Sequence, residues 1–150
     1  MRRAAQEDQK TLSEFFSAFH AEAVPHEPAP ADPGRLAASA VANGSAFVWE
    51  QGHGPICLAV YGREVGGGAS IGPVYTPPTQ RGHGYASALV AALSQHLLET
   101  GRRYTCLFTD LNNPTSNKIY EQVGYRAVSD YAQWDISRGG EAMERHSTGC

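Results

Sequence analysis

Apolar residues recur along this chain at two periods, and the switches between them mark the elements. In residues 8–23, Leu12, Phe15, Phe16, Phe19 and Ala23 fall on one stripe and predict a first helix. Pro25–Gly34 holds four of the nine prolines, too many for a helix, and predicts an extended loop. Asp32-Pro33 then reads as an N-cap followed by proline in the first turn, and Leu36, Ala37, Ala40 and Val41 form an apolar face that Asn43-Gly44 ends. Short apolar runs follow: Ala46–Glu50, Pro55–Tyr61 and Ile71–Thr76 predict strands, separated by turns at Gln51–Gly54 and Gly62–Ser70. Pro73 removes a ladder donor from the third strand, so an edge, a bulge or a break in pairing is expected there. The helical period returns after Gly82 and Gly84, where Ala86, Leu89, Val90, Leu93 and Leu97 predict a helix reaching Thr100, with Gly101 as its stop. A strand at Tyr104–Thr109, a helix from Pro114 to just before Gly124 and an extended stretch at Tyr125–Ile136 complete the pattern. Ser137–Cys150 has few apolar residues and no period, which predicts a disordered tail.

The length of 150 residues suits one domain, here residues 1–136, with a core large enough to need no metal or disulfide staple. Cys57, Cys106 and Cys150 are odd in number and widely spaced, which supports neither a zinc site nor a disulfide framework. A reducing cytoplasm is the expected compartment. A net charge of −3 offers no basic excess for a phosphate backbone, so no nucleic-acid partner is expected. No apolar run approaches the ~18 residues of a spanning helix, and no membrane partner is expected.

Chemistry concentrates in two places. The first is a strand, a glycine-rich turn and a helix: Val74-Tyr75-Thr76, then Pro77 to Arg81, then Gly82-His83-Gly84-Tyr85-Ala86. A helix start offers unpaired N–H groups and the positive end of a dipole, and glycine lets that backbone approach a phosphate. Arg81 can add a charged contact. The turn is not a P-loop, because the Gly-Lys-Ser/Thr sequence is missing, and its spacing does not fit a dinucleotide fingerprint. The second place is Asn113-Pro114-Thr115-Ser116-Asn117-Lys118-Ile119-Tyr120, followed by Gly124-Tyr125. Asn117 and Tyr120 lie three apart, on one helical face.

Together these stretches resemble the GNAT superfamily of acyl-CoA-dependent N-acyltransferases. Arg81 to Ala86 fits that family's pyrophosphate motif, (Gln/Arg)-x-x-Gly-x-(Gly/Ala). Asn113 to Tyr125 resembles its second motif, an Asn-x-x-(Ser/Ala)-x-x-x-Tyr helix followed by Gly-(Tyr/Phe), and the likeness spans about residues 46–136. The resemblance implies an α/β fold, with a mixed, mostly antiparallel central sheet flanked by helices and splayed central strands. It implies acetyl-CoA as the acyl donor: Val74, Tyr75 and Thr76 along the pantetheine arm, the amides of Gly82 to Ala86 on the pyrophosphate, and Asn113 and Asn117 beside the thioester and pantetheine. His83 and Tyr85 would contribute through their backbone positions in that motif. Tyr120 would protonate the departing thiolate. A tyrosine of ordinary pKa about 10 keeps its proton at neutral pH and can give it to a thiolate of pKa about 8.5.

The expected reaction is direct attack of a primary amine, on a small molecule or a peptide, with no enzyme nucleophile. Glu50 is the expected base, with Asp110, His53 and a water relay as rivals. A non-catalytic acyl-CoA-binding domain, regulatory or interacting, is the alternative; Tyr120 favours catalysis, because binding alone needs no acid beside sulfur. A monomer or homodimer is expected. Two departures from the family pattern stand out. Met1–Ala5 leaves room for only a stub of first strand, and Tyr125–Ile136 leaves little room for a closing hairpin. In this the chain resembles the C-terminal half of a tandem-GNAT protein.

Overall fold

A computed structural model of the chain describes residues 1–25, 28–52, 54–135 and 143–149. They fall into two compact units, Met1–Thr105 and Cys106–Cys150.

The first unit is a four-stranded antiparallel sheet in the order β1 (Arg2–Arg3), β2 (Ala46–Glu50), β3 (Pro55–Val65), β4 (Gly68–Tyr75). Helices α1 (Gln9–Ala23), α2 (Pro33–Ala42) and α3 (Tyr85–Glu99) pack with it. Strand alternation sorts the core. Ala46, Val48 and Leu58 join Leu12, Phe15 and Phe16 of α1 and Ala37 and Ala40 of α2 in one apolar cluster. The intervening positions, Phe47, Cys57 and Ala59, point to the other face. There the Phe47 ring lies 5.4 Å from His96 of α3. Leu89, Val90, Leu93 and Leu97 of α3 are buried, as their period predicts. Leu36 is not: it is exposed, and α2 buries only its small residues.

The expected start of α2 has a visible cause. The Asp32 carboxylate accepts from the Arg35 amide at 2.9 Å and caps α2. Such a cap contributes about 1 kcal/mol. The β3–β4 connection differs from expectation. Gly62–Ser70 is not one flexible turn, because β3 runs on to Val65, β4 starts at Gly68, and only Gly66-Gly67 turns. Their φ values of +58° and +82° suit a two-residue hairpin turn whose twist matches the strands. At Gly68 no side chain fits: a Cβ there would lie 2.3 Å from the Tyr104 ring. Pro73 sits where the β3–β4 register shifts between the pairs Ala59–Val74 and Tyr61–Ile71, the bulge its missing donor predicts.

The start of the chain is tied down by charge. Arg2 donates to both Asp8 carboxylate oxygens, at 2.6 and 3.0 Å, and to both Glu50 oxygens, at 2.8 and 3.1 Å. Asp8, which is buried, also accepts from the Ala5 amide at 2.7 Å. The Arg2 guanidinium holds the Asp8 carboxyl below its ordinary pKa of 3.8. The sign follows: this contribution to stability is present above the ordinary carboxyl pKa and is lost as pH falls through the depressed value.

The second unit comprises β5 (Thr105–Asp110), α4 (Pro114–Val123), β6 (Ser129–Asp135) and β7 (Met143–Gly149). β7 pairs antiparallel with β6 from Ser129–Gly149 to Asp135–Met143, and its last residues pair antiparallel with β5. Two expectations are corrected here. The closing hairpin exists, because β7 comes from residues 143–149, which the sequence assigns to a disordered tail. Pairing on both edges is a property of the backbone and needs no apolar pattern to announce it. Residues 136–142 and 150 lie outside the described residues. Among the described residues, no helix is long and apolar enough to cross a membrane.

Candidate functional site

The glycine turn leads from β4 into α3 by a route that leaves the helix start bare. Pro78–Gln80 makes one tight turn, and Gly84 is the α3 N-cap with φ +78°. Among the described residues no side chain caps α3, and the first bond into the helix runs from the Ala88 amide to the Gly84 carbonyl. The amides ahead of Ala88 therefore have no intrahelical acceptor. A Cβ built at Gly82 or at Gly84 would meet none of the described residues within 4 Å, which leaves the approach to these amides open among them. Bare N–H groups at the positive end of a 15-residue helix can receive an anion.

The other predicted residues of this unit surround the turn. Val74 and Tyr75 pair with Ala59 and Leu58 of β3. The Thr76 hydroxyl donates to Cys57 Sγ at 3.2 Å, and burial pushes the Cys57 thiol up to about 11. Arg81 folds back over the strand end. Its Nε donates to the Thr76 carbonyl at 2.9 Å, its guanidinium carbon lies 5.7 Å from the centre of the Tyr75 ring, and its Nη2 donates to Glu22 at 2.5 Å. The Tyr75 hydroxyl donates to the other Glu22 oxygen at 2.8 Å. The His83 and Tyr85 rings stack at 5.5 Å, and the Tyr85 hydroxyl donates to Gln51 at 2.6 Å. Glu22 and Gln51 escape sequence reasoning: each lies more than thirty residues from its partner, and neither belongs to a motif.

Glu50, the expected base, is in the fork of Arg2, which holds its carboxyl below the usual value of 4.5. A depressed pKa keeps a carboxylate ionised but weakens it as a proton acceptor. His53, one of its rivals, lies outside the described residues.

In the second unit, Asn113 caps α4, its side-chain oxygen accepting from the Ser116 amide at 3.1 Å. Asn117 donates through Nδ2 to the Asp110 and Leu111 carbonyls, at 3.3 Å each, and fastens the end of β5 to the helix. Its Oδ1 is buried without a hydrogen-bond partner among the described residues. A buried acceptor left open is costly. Tyr120 lies one turn further, half-buried, with its ring edge-on to Tyr125 at 6.2 Å. Asp110, another rival base, accepts from the Asn112 amide at 2.8 Å.

Known proteins share this fold. Residues 58–134, just over half of the chain, match the family model described as FR47-like protein. No curated protein matches the sequence. Among solved structures, the chain is similar to a ribosomal-protein-alanine N-acetyltransferase from Brucella melitensis, at 18% identity and TM-score 0.78, over 99% of this chain and 97% of that one. It is similar to an N-acetyltransferase from Staphylococcus aureus Mu50, at 16% identity and TM-score 0.77, over 99% and 95%. It is also similar to yncA of Salmonella typhimurium, solved with its cofactor acetyl-CoA, at 16% identity and TM-score 0.78, over 99% and 91%. At such identities the likeness is one of fold, the mixed α/β architecture with antiparallel pairing described above. The family match rests on sequence, and it takes in the whole glycine turn and all of α4: the chain belongs to the FR47-like family, within the GNAT superfamily.

Proposed function

We propose that the chain transfers an acetyl group from acetyl-CoA to a primary amine. The observation that carries this reading is the bare, glycine-bounded start of α3 inside the family match. Arg81 to Ala86 form the pyrophosphate loop, with the backbone amides of Gly82 to Ala86 as its donors. Val74, Tyr75 and Thr76 line the pantetheine arm, and Asn113 and Asn117 attend the thioester end. The unmatched Oδ1 of Asn117 supports a donor arriving there. Acetyl-CoA in the yncA structure supports the same donor for this fold.

In this reading the amine nitrogen attacks the thioester carbon, the new C–N bond forms, the C–S bond breaks, and Tyr120 gives its proton to the leaving sulfur. The acceptor is a small-molecule or peptide amine. Arg2 already engages Glu50, so water takes the ammonium proton. The reaction is proposed for the cytoplasm, where Cys57 and Cys106 stay reduced, and for a monomer or homodimer. A second reading, a domain that binds acyl-CoA without catalysis, is favoured by one observation, the engagement of Glu50 by Arg2.

Thermal unfolding with acetyl-CoA tests the donor. A ligand that binds only the folded state raises the melting temperature, by about 2.7 kcal/mol of stabilisation at a hundred times its dissociation constant. Gly84→Val places a branched side chain at φ +78° over the amides and is expected to abolish that shift. A wild-type curve unchanged at millimolar acetyl-CoA contradicts the donor assignment. Release of free thiol with a panel of amines separates enzyme from binding domain.

A further inference from the structure

Two residues of the proposed site, Tyr75 at the end of β4 and Arg81 at the base of the glycine turn, are bonded to one that the proposed chemistry does not use, Glu22 at the end of α1. We propose that Glu22 is a positioning residue for the pyrophosphate loop, setting Gly82–Ala86 through Arg81. This rests on the reading of that loop as the pyrophosphate site.

The two carboxylate oxygens of Glu22 have different partners. One accepts from the buried Tyr75, whose ring packs 5.5 Å from Phe15 of α1. The other accepts from Arg81. Arg81 in turn donates to the Thr76 carbonyl and lies over the Tyr75 ring. Helix end, strand end and loop thus share one closed set of hydrogen bonds. Two Arg81 donor nitrogens, Nε and Nη2, are spent inside the protein. Its charge is met by a Glu22 carboxyl held below the usual range, chiefly by Arg81 and then by Tyr75. The phosphate-facing donors are therefore the backbone amides of the turn, and the arginine shapes the loop that presents them. Such shaping matters because the next residues include two glycines at positive φ, a segment that costs much entropy to order. Fixing it before the ligand arrives lowers the cost of binding.

The test compares two donors. S-acetylpantetheine carries the same thioester arm as acetyl-CoA but has no pyrophosphate. Dissociation constants for both are measured by titration, on the wild type and on Glu22→Gln, with melting temperatures of the same preparations. Glu22→Gln keeps shape and loses charge. It is expected to weaken acetyl-CoA on the order of tenfold and to leave S-acetylpantetheine unchanged. Arg81→Gln is expected to match it, and the double variant to be no weaker than either, because the two residues act as one unit. Tyr75→Phe, which keeps the Glu22–Arg81 pair, is expected to cost less. Equal weakening of both donors, or unchanged acetyl-CoA affinity, overturns the role of Glu22. A wild type that binds the two donors equally well overturns the pyrophosphate reading as well. That failure shows in the wild type alone and is distinguishable from the first.

Discussion

Helices α3 and α4 begin in opposite ways. α4 is closed by its own sequence: Asn113 turns its side-chain oxygen onto the Ser116 amide, and Pro114 contributes no donor at all. α3 starts from Gly84, a residue with no side chain to offer, and its first amides stay open. Capping satisfies orphan donors and so removes them from binding, whereas leaving a helix uncapped forgoes about 1 kcal/mol and keeps the donors for an anion. The contrast assigns work. In the proposed reaction α3 binds the donor, and α4, sealed at its start, holds Asn117 and Tyr120.

The sharpest way to break this contrast is Tyr120→Phe. The ring and most packing stay, the proton is lost, and turnover is expected to fall on the order of 10²–10⁴-fold with acetyl-CoA affinity little changed. Steady-state rate and melting temperature measured together check it. A variant that loses stability and keeps its rate per folded molecule makes Tyr120 a packing residue and leaves α4 without a chemical task.

A smaller effect is expected at the cap. Asn113→Ala is expected to cost about 1 kcal/mol, or about 3 °C in melting temperature for a chain of this size, while Asn113→Ser keeps most of it. Loss of the same size in both variants means that something other than capping holds α4.

The smallest effect concerns the strand end that feeds α3. Cys57 accepts from Thr76, and its thiol is pushed up to about 11, so alkylation near pH 8 needs a local opening. Labelling of Cys57, followed by mass spectrometry, is expected to be slow and to slow further with acetyl-CoA. Rapid labelling unaffected by acetyl-CoA denies any link between β4 and the open start of α3.

Both contrasting helices are legible in the sequence, because capping chemistry and apolar period are local. Asp32 caps α2 where the sequence puts it, and α3 and α4 open after Gly84 and at Pro114 as read. The hairpin turn is legible in principle, as Gly66-Gly67 between two runs, but Gly62, Ser70 and Ala69 carry too little apolar signal to show that the strands continue. β7 escapes for a deeper reason: it is held by backbone pairing, which has no composition. Glu22 and Arg2 escape because ion pairs across 59 and 48 residues leave no trace in spacing. The candidate residues are readable as types in motifs. Which of them the fold has already occupied, as Arg2 occupies Glu50, is not.

The tip of the β3–β4 hairpin has an evolutionary consequence. Gly68 lies flat beneath the Tyr104 ring, with the Arg103 amide bonded to the Gly67 carbonyl and the Ala69 amide to the Tyr104 carbonyl. The backbone bonds fix how close the two segments come, so the volume of one side chain is set by the absence of the other. Position 68 is not free to drift alone. Among related chains that keep this hairpin, a residue larger than glycine at position 68 is expected only where position 104 has lost its ring.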